Sequence, residues 1–210
     1  MELFAKRDLV YPVEDLCGGK VVCGVDEAGR GSLAGPLVVA AVVFPPYYRN
    51  SSIIDSKKLT PKERRELYAL IKEKALDYSI VEISPKEIDR MNVLRATIFG
   101  MAEAMESISC KFDICLVDGN AAPKLSFGNI IPIVKGDALS LNIAAASILA
   151  KVYRDDKMIS YSKLYPEYEF EVNKGYGTKK HLAALNEIGI SPIHRRTFSP
   201  VKNVIYSRLL

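Results

Sequence analysis

Val21-Val22-Cys23-Gly24-Val25-Asp26-Glu27-Ala28-Gly29-Arg30-Gly31 is a β-branched, apolar run that ends in two acids and a glycine-rich stretch. An apolar run of this length with no helical period predicts a buried strand, Val21 to Val25, with Asp26 and Glu27 at its end beside flexible backbone. Leu37 to Phe44 predicts a second, neighbouring strand joined to the first by a structured turn. Neighbours in a regular strand point to opposite faces, so Asp26 and Glu27 share one site only if the strand ends or bulges there. Gly29 allows either.

Outward from this pair, Tyr78 to Ile83 predicts a third strand, and Ile114 to Val117 and Ile130 to Val134 predict short buried ones. The last two lead into loops carrying Asp118 and Asp137. Thr60-Pro61-Lys62-Glu63 is a capping-box pattern with Pro at the first helical position, predicting a helix to about Ala75, and Ser84-Pro85-Lys86-Glu87 repeats it. A helix from Val93 to Ser107 would place Leu94, Ile98, Met101 and Met105 on one face, the methionines in the core. Leu141 to about Tyr165 reads as a long helix and Thr178 to Ile188 as a short one, before a proline-punctuated tail. Strands first and alternating strand and helix later imply an α/β fold, a mixed sheet with helices on its faces. The expected organisation is a main body over residues 1–165 with a helical, basic extension over 166–210 packed on it.

At 210 residues, 49% apolar and 26% charged, the chain can bury one sizeable core. Its first ten residues carry charges where an apolar leader would sit, and Leu33 to Tyr48 is shorter than the ~20 residues a bilayer span needs. These features predict no membrane segment and a cytoplasmic location. Cys17, Cys23, Cys110 and Cys115 match no zinc spacing and are expected as reduced, structural thiols. A net charge of +4 decides little, but from Lys174 to Lys202 six basic residues face one acid, Glu187. Such a segment suits an anionic partner or an ordinary solvated surface. His181 and His194 are too few and too far apart in sequence to suggest a metal-free acid–base pair, so structural or phosphate-contact roles are expected. An ATP-binding Gly-x4-Gly-Lys-Ser/Thr loop is absent, which leaves an ATP-driven reading without support.

Side chains at the C-terminal ends of strands in such sheets point into the ligand crevice, so Asp26, Glu27, Asp118 and Asp137 are candidates to converge. Ionised carboxylates within a few ångströms repel unless a proton or cation compensates, and oxygen-only ligands suit Mg²⁺ or Mn²⁺. Two such ions would serve phosphoryl transfer, one activating water and the other steadying the leaving oxygen. Taken singly, Asp118-Gly119 can also be a turn and Asp137 a helix cap. Asp155 and Asp156 lie within a helix beside Lys151, Arg154 and Lys157, where helix-face ion pairing accounts for them.

Gly24 to Gly31, read as GVDEAGRG, closely resembles the signature of ribonuclease HII. Asp55 to Leu59 (DSKKL), Asp118 to Asn120 (DGN), Lys135 to Asp137 (KGD), Ala144 to Lys151 (AAASILAK), Lys174 to Thr178 (KGYGT) and Pro192 to Phe198 (PIHRRTF) match its other blocks in order. The resemblance implies a ribonuclease H-like five-stranded sheet with a C-terminal helical extension and a catalytic, metal-binding set of Asp26, Glu27, Asp118 and Asp137. Asp26 would bridge both ions, Glu27 and Asp118 would hold the one on the leaving-oxygen side, and Asp137 the one carrying the water. The implied substrates are RNA–DNA hybrids and duplex DNA holding a single ribonucleotide, cut on its 5′ side to leave a 3′-hydroxyl and a 5′-phosphate.

Only the 2′-hydroxyl marks a ribonucleotide there, so its reader must approach the sugar closely. Gly29 and Gly31 permit that, and the Gly29-Arg30-Gly31 peptides can supply a donor and an acceptor, although a glycine turn accounts for them too. The resemblance places Tyr176 beside the reacting nucleotide, stacked on the following sugar; without it, a Tyr between glycines is a turn residue. Lys57, Lys58, Ser147, Lys151, Lys179 and Lys180 are candidate phosphate contacts or plain surface polarity. Two rivals remain: a DNA nuclease or resolvase of the same superfamily, and a non-catalytic nucleic-acid-binding module. The Gly-Arg-Gly and Gly-Tyr-Gly blocks oppose the first, and the four acids, useless in a binding groove, oppose the second. A monomer is expected, and Val201 to Leu210 gives no support for a sliding-clamp motif.

Overall fold

The computed structural model describes residues 13–126 and 129–209, so the charged opening at 1–10 and the last residue of the Val201–Leu210 segment lie outside the described residues. Five strands, β1 (Val22–Ala28), β2 (Leu37–Val43), β3 (Asp77–Ile83), β4 (Ile114–Asp118) and β5 (Asn129–Ile133), form one sheet in the order β3-β2-β1-β4-β5. β1 runs antiparallel to β2, and β2 to β3, while β1, β4 and β5 are parallel neighbours. The mixed α/β sheet expected from the sequence is therefore present.

Helices α1 (Pro61–Lys74) and α4 (Leu141–Leu164) cover one face, and α2 (Pro85–Met91) and α3 (Val93–Glu106) the other. β2 divides its side chains between them. Val38, Ala40 and Val42 meet Ala145, Ile148 and Leu149 of α4, and Val39, Ala41 and Val43 join Met101 and Met105 of α3. Burial on both sides explains why β2 reads as unbroken apolar sequence. Both predicted capping boxes form, Thr60 with Glu63 and Ser84 with Glu87. β1 lies so close to α4 that a Cβ on Gly24 would stand 2.2 Å from the Asn142 backbone carbon.

Downstream, α5 (Phe170–Asn173), α6 (Lys179–Ile188) and α7 (Ser199–Ser207) pack on the turn after β1 and on the end of α4. Ala34, Met158, Tyr168, Phe170 and Ile193 form one cluster there, and Leu33, Leu185, Val201 and Val204 another.

Four expectations need correction. β1 does not stop at Val25: it stays paired with β2 through Asp26↔Ala40, Glu27↔Val39 and Ala28↔Val38, with no bulge. β5 is not buried; it is the edge of the sheet, where Pro132 is tolerated because one side of the strand needs no partner. Leu94 is 49% exposed, so the buried face of α3 begins at Ala96 and Thr97 instead. The proline-punctuated tail is helix α7, with Pro200 in its first turn, where a missing N–H costs nothing. All four cysteines are free thiols. Among the described residues, no helix is long and apolar enough to cross a membrane.

Candidate active site

Asp26 lies on the α4 face of β1, in register with Ala40, and only 5% of its surface is exposed. The Ser147 hydroxyl of α4 donates to its carboxylate, as does the Glu27 N–H at 2.7 Å. Burial, reinforced by repulsion from Glu27 and Asp118, pushes the Asp26 carboxyl well above the ordinary carboxylate range. Glu27 leaves the opposite pleat. Pairing between β1 and β4 ends at Val25↔Val117, two residues before Glu27, and the Glu27 carboxylate repels both Asp26 and Asp118. Burial raises the Glu27 carboxyl; Arg30, 3.7 Å away, offsets this in part, and Asp118 adds to it.

Asp118 is the last residue of β4 and accepts the Gly136 N–H at 2.7 Å. Burial, then repulsion from Asp137, raises its carboxyl. Asp137 sits in the one-turn helix Gly136–Ala138 and is almost buried. The cap of α4 is Ser140, so Asp137 is not a helix cap. A left-handed Lys135 and the absence of a side chain at Gly136 let this loop fold against Asp118. Lys57 Nζ lies 2.9 Å from Asp137 Oδ2, and this bond raises the lysine pKa. Lys57 also attracts Asp26, Glu27 and Asp118, so it stands as counter-charge to the whole set.

Asp26, Glu27 and Asp118 thus gather at the C-terminal ends of β1 and β4, and Asp137, in the one-turn helix after β5, comes against Asp118. Among the described residues, no three acid, His or Cys side chains form a ready-made ligand shell. The donor chemistry still fits a hard divalent cation, because buried, mutually repelling oxygen donors are relieved by positive charge.

The loop that follows β1 is held from beneath. Gly29 adopts φ +92, and a Cβ there would stand 2.0 Å from Arg154 Nε. A Cβ on Gly31 would meet nothing within 4 Å. Arg195, fully buried, donates to the Gly29 carbonyl at 2.8 Å, the Arg30 carbonyl at 2.9 Å and the Gly35 carbonyl at 3.1 Å. Arg154, also fully buried, donates to Pro36 O, Ala34 O and Ser32 Oγ. Burial, then the Arg154 charge, pulls the Arg195 pKa down to about 9. Of the donor and acceptor expected from the Gly29-Arg30-Gly31 peptides, the Gly29 and Arg30 carbonyls are engaged inside the protein.

Tyr176 is 39% exposed, its ring 5.4 Å from the Arg154 guanidinium carbon. Its carbonyl faces His181 Nδ1 at 2.9 Å; His181 Nε2 is 3.0 Å from His194 Nε2, and His194 Nδ1 accepts the Ser191 N–H. That chain is satisfied only by two neutral rings, each in one tautomer: His194 donates to His181, which donates to Tyr176. Both rings are buried, which rules out phosphate contact and leaves the structural role.

Of the remaining candidates, Ser147 touches Asp26 and Ser56, and Lys57 touches Asp137. Lys151 is paired with Asp155 and Lys180 with Glu169, while Lys58 and Lys179 are exposed, so none of these four is ion-paired with the acids. Asp156 pairs with Arg65 of α1 rather than along its own helix. Sequence reasoning missed Arg154 and Arg195, since nothing local distinguishes a buried arginine from a surface one.

A family model described as Ribonuclease HII matches residues 23–201. The chain belongs to the ribonuclease HII family. A relative named ribonuclease HII from Endomicrobium trichonymphae is 52% identical over 185 residues, 88% of each chain. Among solved structures, the ribonuclease H2 of Pyrococcus horikoshii OT3 aligns with TM-score 0.78 and 30% identity, covering 89% of this chain and 98% of that one. The Archaeoglobus fulgidus ribonuclease HII, solved as a complex with PCNA, aligns at 0.72 with 25% identity over 87% and 96%. Bst ribonuclease HIII in complex with Mn²⁺ aligns at 0.73 with 16% identity over 97% and 75%, a likeness of fold. As a ribonuclease HII family member this chain is a ribonuclease H, a phosphodiester-hydrolysing endonuclease with a nucleic-acid substrate.

Proposed function

We propose that the enzyme hydrolyses the RNA strand of RNA–DNA hybrids and cuts duplex DNA 5′ of a single ribonucleotide, leaving a 3′-hydroxyl and a 5′-phosphate. The observation that carries this reading is the juxtaposition of four gathered, mutually repelling acids with a glycine loop whose Gly31 has open space where a side chain would sit. Neither packing nor a positive φ requires glycine at Gly31. The vacant volume suits a sugar that must come within hydrogen-bonding distance of backbone.

Asp26, Glu27, Asp118 and Asp137 would hold two Mg²⁺ or Mn²⁺ ions; the Mn²⁺-bound ribonuclease HIII supports this choice by fold. When bound, the ions supply an activated water and charge stabilisation at the leaving oxygen. The chain itself orients the substrate. The Gly29 to Gly31 peptides meet the ribose, and Tyr176 packs against the next sugar, favouring deoxyribose. Lys57, exposed along 79% of its side chain, is free to swing from Asp137 toward a backbone phosphate. Lys58, Lys151, Lys179 and Lys180 lie farther out as positioning charges for the duplex.

The same reading divides the chain into a catalytic body, 1–165, and an extension, 166–210, that carries Tyr176, with ribonucleotide removal during DNA replication and repair in the cytoplasm as its setting. No clamp partner is assigned: Val201 and Val204 of α7 are buried in the protein's own core.

Cleavage of a labelled duplex holding one ribonucleotide tests the reading. Wild type should cut 5′ of the ribonucleotide with Mg²⁺ or Mn²⁺, stop when the ions are chelated, and leave the all-DNA duplex intact; Asp26→Asn should be inactive. Cutting of all-DNA would point to a general nuclease, and tight binding without cleavage to a binding module.

A further inference from the structure

Reading the 2′-hydroxyl through Gly29-Arg30-Gly31 requires the peptide groups of this loop to face a particular way, and Arg195 supplies the means. Its guanidinium, 0% exposed, reaches back 166 positions to Gly29 O and 165 to Arg30 O. Among the described residues no carboxylate lies in ion-pair range of Arg195, so its charge is compensated by carbonyl dipoles. In a trans peptide the carbonyl and the following N–H point in opposite directions, and no described peptide bond is cis. Drawing Gly29 O and Arg30 O inward therefore turns the N–H groups of Arg30 and Gly31 outward. Gly29 O is fully engaged, because Ser32 N and Ser32 Oγ donate to it as well. Arg30 and Gly31 are exposed, and neither N–H has an acceptor within the described chain.

We infer that Arg195 is a positioning residue for ribonucleotide discrimination: it fixes the Gly29-Arg30-Gly31 peptides with two adjacent N–H donors toward the cleft, a cradle for the 2′-hydroxyl oxygen and its flanking phosphate. This rests on the proposed function. A buried cation is costly to hold without a carboxylate, and its charge polarises the peptides it binds, so the outward N–H groups are better donors than those of an unclamped turn.

The test compares wild type, Arg195→Met and Arg195→Lys. Three readouts are taken: single-turnover cleavage of the one-ribonucleotide duplex, anisotropy binding of the all-DNA duplex of the same sequence, and NMR shifts of the Arg30 and Gly31 amides with each duplex. In wild type the ribonucleotide should shift both amides more than all-DNA does. In Arg195→Met that difference should vanish and cleavage fall about tenfold or more, the scale of one hydrogen bond to a charged group. Affinity for all-DNA should change less than about threefold, since phosphate contacts carry it. Arg195→Lys, retaining the charge and an inward donor, should recover part of the cleavage. A loss of cleavage matched by an equal loss of all-DNA affinity marks a merely structural role and overturns the inference, as does a Met variant with wild-type discrimination. If Arg195→Met does not fold, the wild-type amides decide, and equal shifts with both duplexes overturn it. A wild type that cuts both duplexes alike sinks the functional reading, and this inference with it.

Discussion

On the proposed function, Asp26 is where stability and activity conflict. Its carboxylate is buried beside two others and held above its ordinary range, so its charge opposes folding unless a cation is present. Asp26→Asn should abolish cleavage yet raise the metal-free melting temperature by on the order of 3 °C, about what one kcal/mol gives in a chain of this size. Differential scanning calorimetry without divalent ions checks it; a lower melting temperature would refute the repulsion. The His181–His194 pair carries the opposite pH sign. Burial, then the neighbouring His181, holds His194 down to about 4, below the 6.5 of an exposed ring. The unfolded chain therefore binds the extra proton first, and stability present above pH 6.5 is lost as pH falls toward 4. Wild type should lose about 2 kcal/mol from this ring between pH 7.5 and 5, measured by urea denaturation. His194→Gln should flatten that part of the profile; an unchanged slope would show that the ring does not stay neutral. Gly31→Ala should leave stability within about 0.5 kcal/mol while cutting ribonucleotide cleavage, because the space its Cβ would fill is not the protein's own.

β1 is the element on which the site is built, and its fit to α4 tolerates nothing at Gly24. A Cβ there meets backbone of Asn142 and Ile143, which cannot rotate away, so Gly24→Ala should cost about 3 kcal/mol or more and lower the urea midpoint. The same strand shows what the sequence discloses. Apolar runs and capping boxes put all five strands and α1 to α4 in the right order, and closely in position where the element is buried, because burial writes itself into local pattern. The run of β1 through Asp26 and Glu27 was not legible, since pairing with Val39 and Ala40 is decided by a partner strand and not by the acids. Nor was the exposure of β5, whose apolar residues read as buried although it ends the sheet. Within the site, the four acids stood out because each comes at or just after the end of an apolar run in the sequence. Arg195 and the histidine pair did not, because their contacts span 13 to 166 positions and leave no spacing to read.

Across the whole molecule, the segment beyond 165 is structural, and on the proposed reading it serves the site as well. Leu33, Ala34 and Met158 are buried largely by residues beyond 165, and Arg195 supports the loop after β1. A chain ending at 165 would expose these residues, and should unfold without a sharp transition by circular dichroism and show no preference for ribonucleotides. A truncated chain that melts cooperatively would mean that the clusters beyond 165 are dispensable.

The long reach of Arg195 also sets an order in time. The four acids lie between residues 26 and 137, whereas the loop after β1 is held by Arg195, well downstream of all four. Translation at about 5–20 residues per second separates the two events by roughly 3 to 12 s. On the proposed reading, a nascent chain halted in that interval would carry the four acids but not the arginine inferred to set the loop, so the groups proposed for chemistry are synthesised before the one proposed for selectivity.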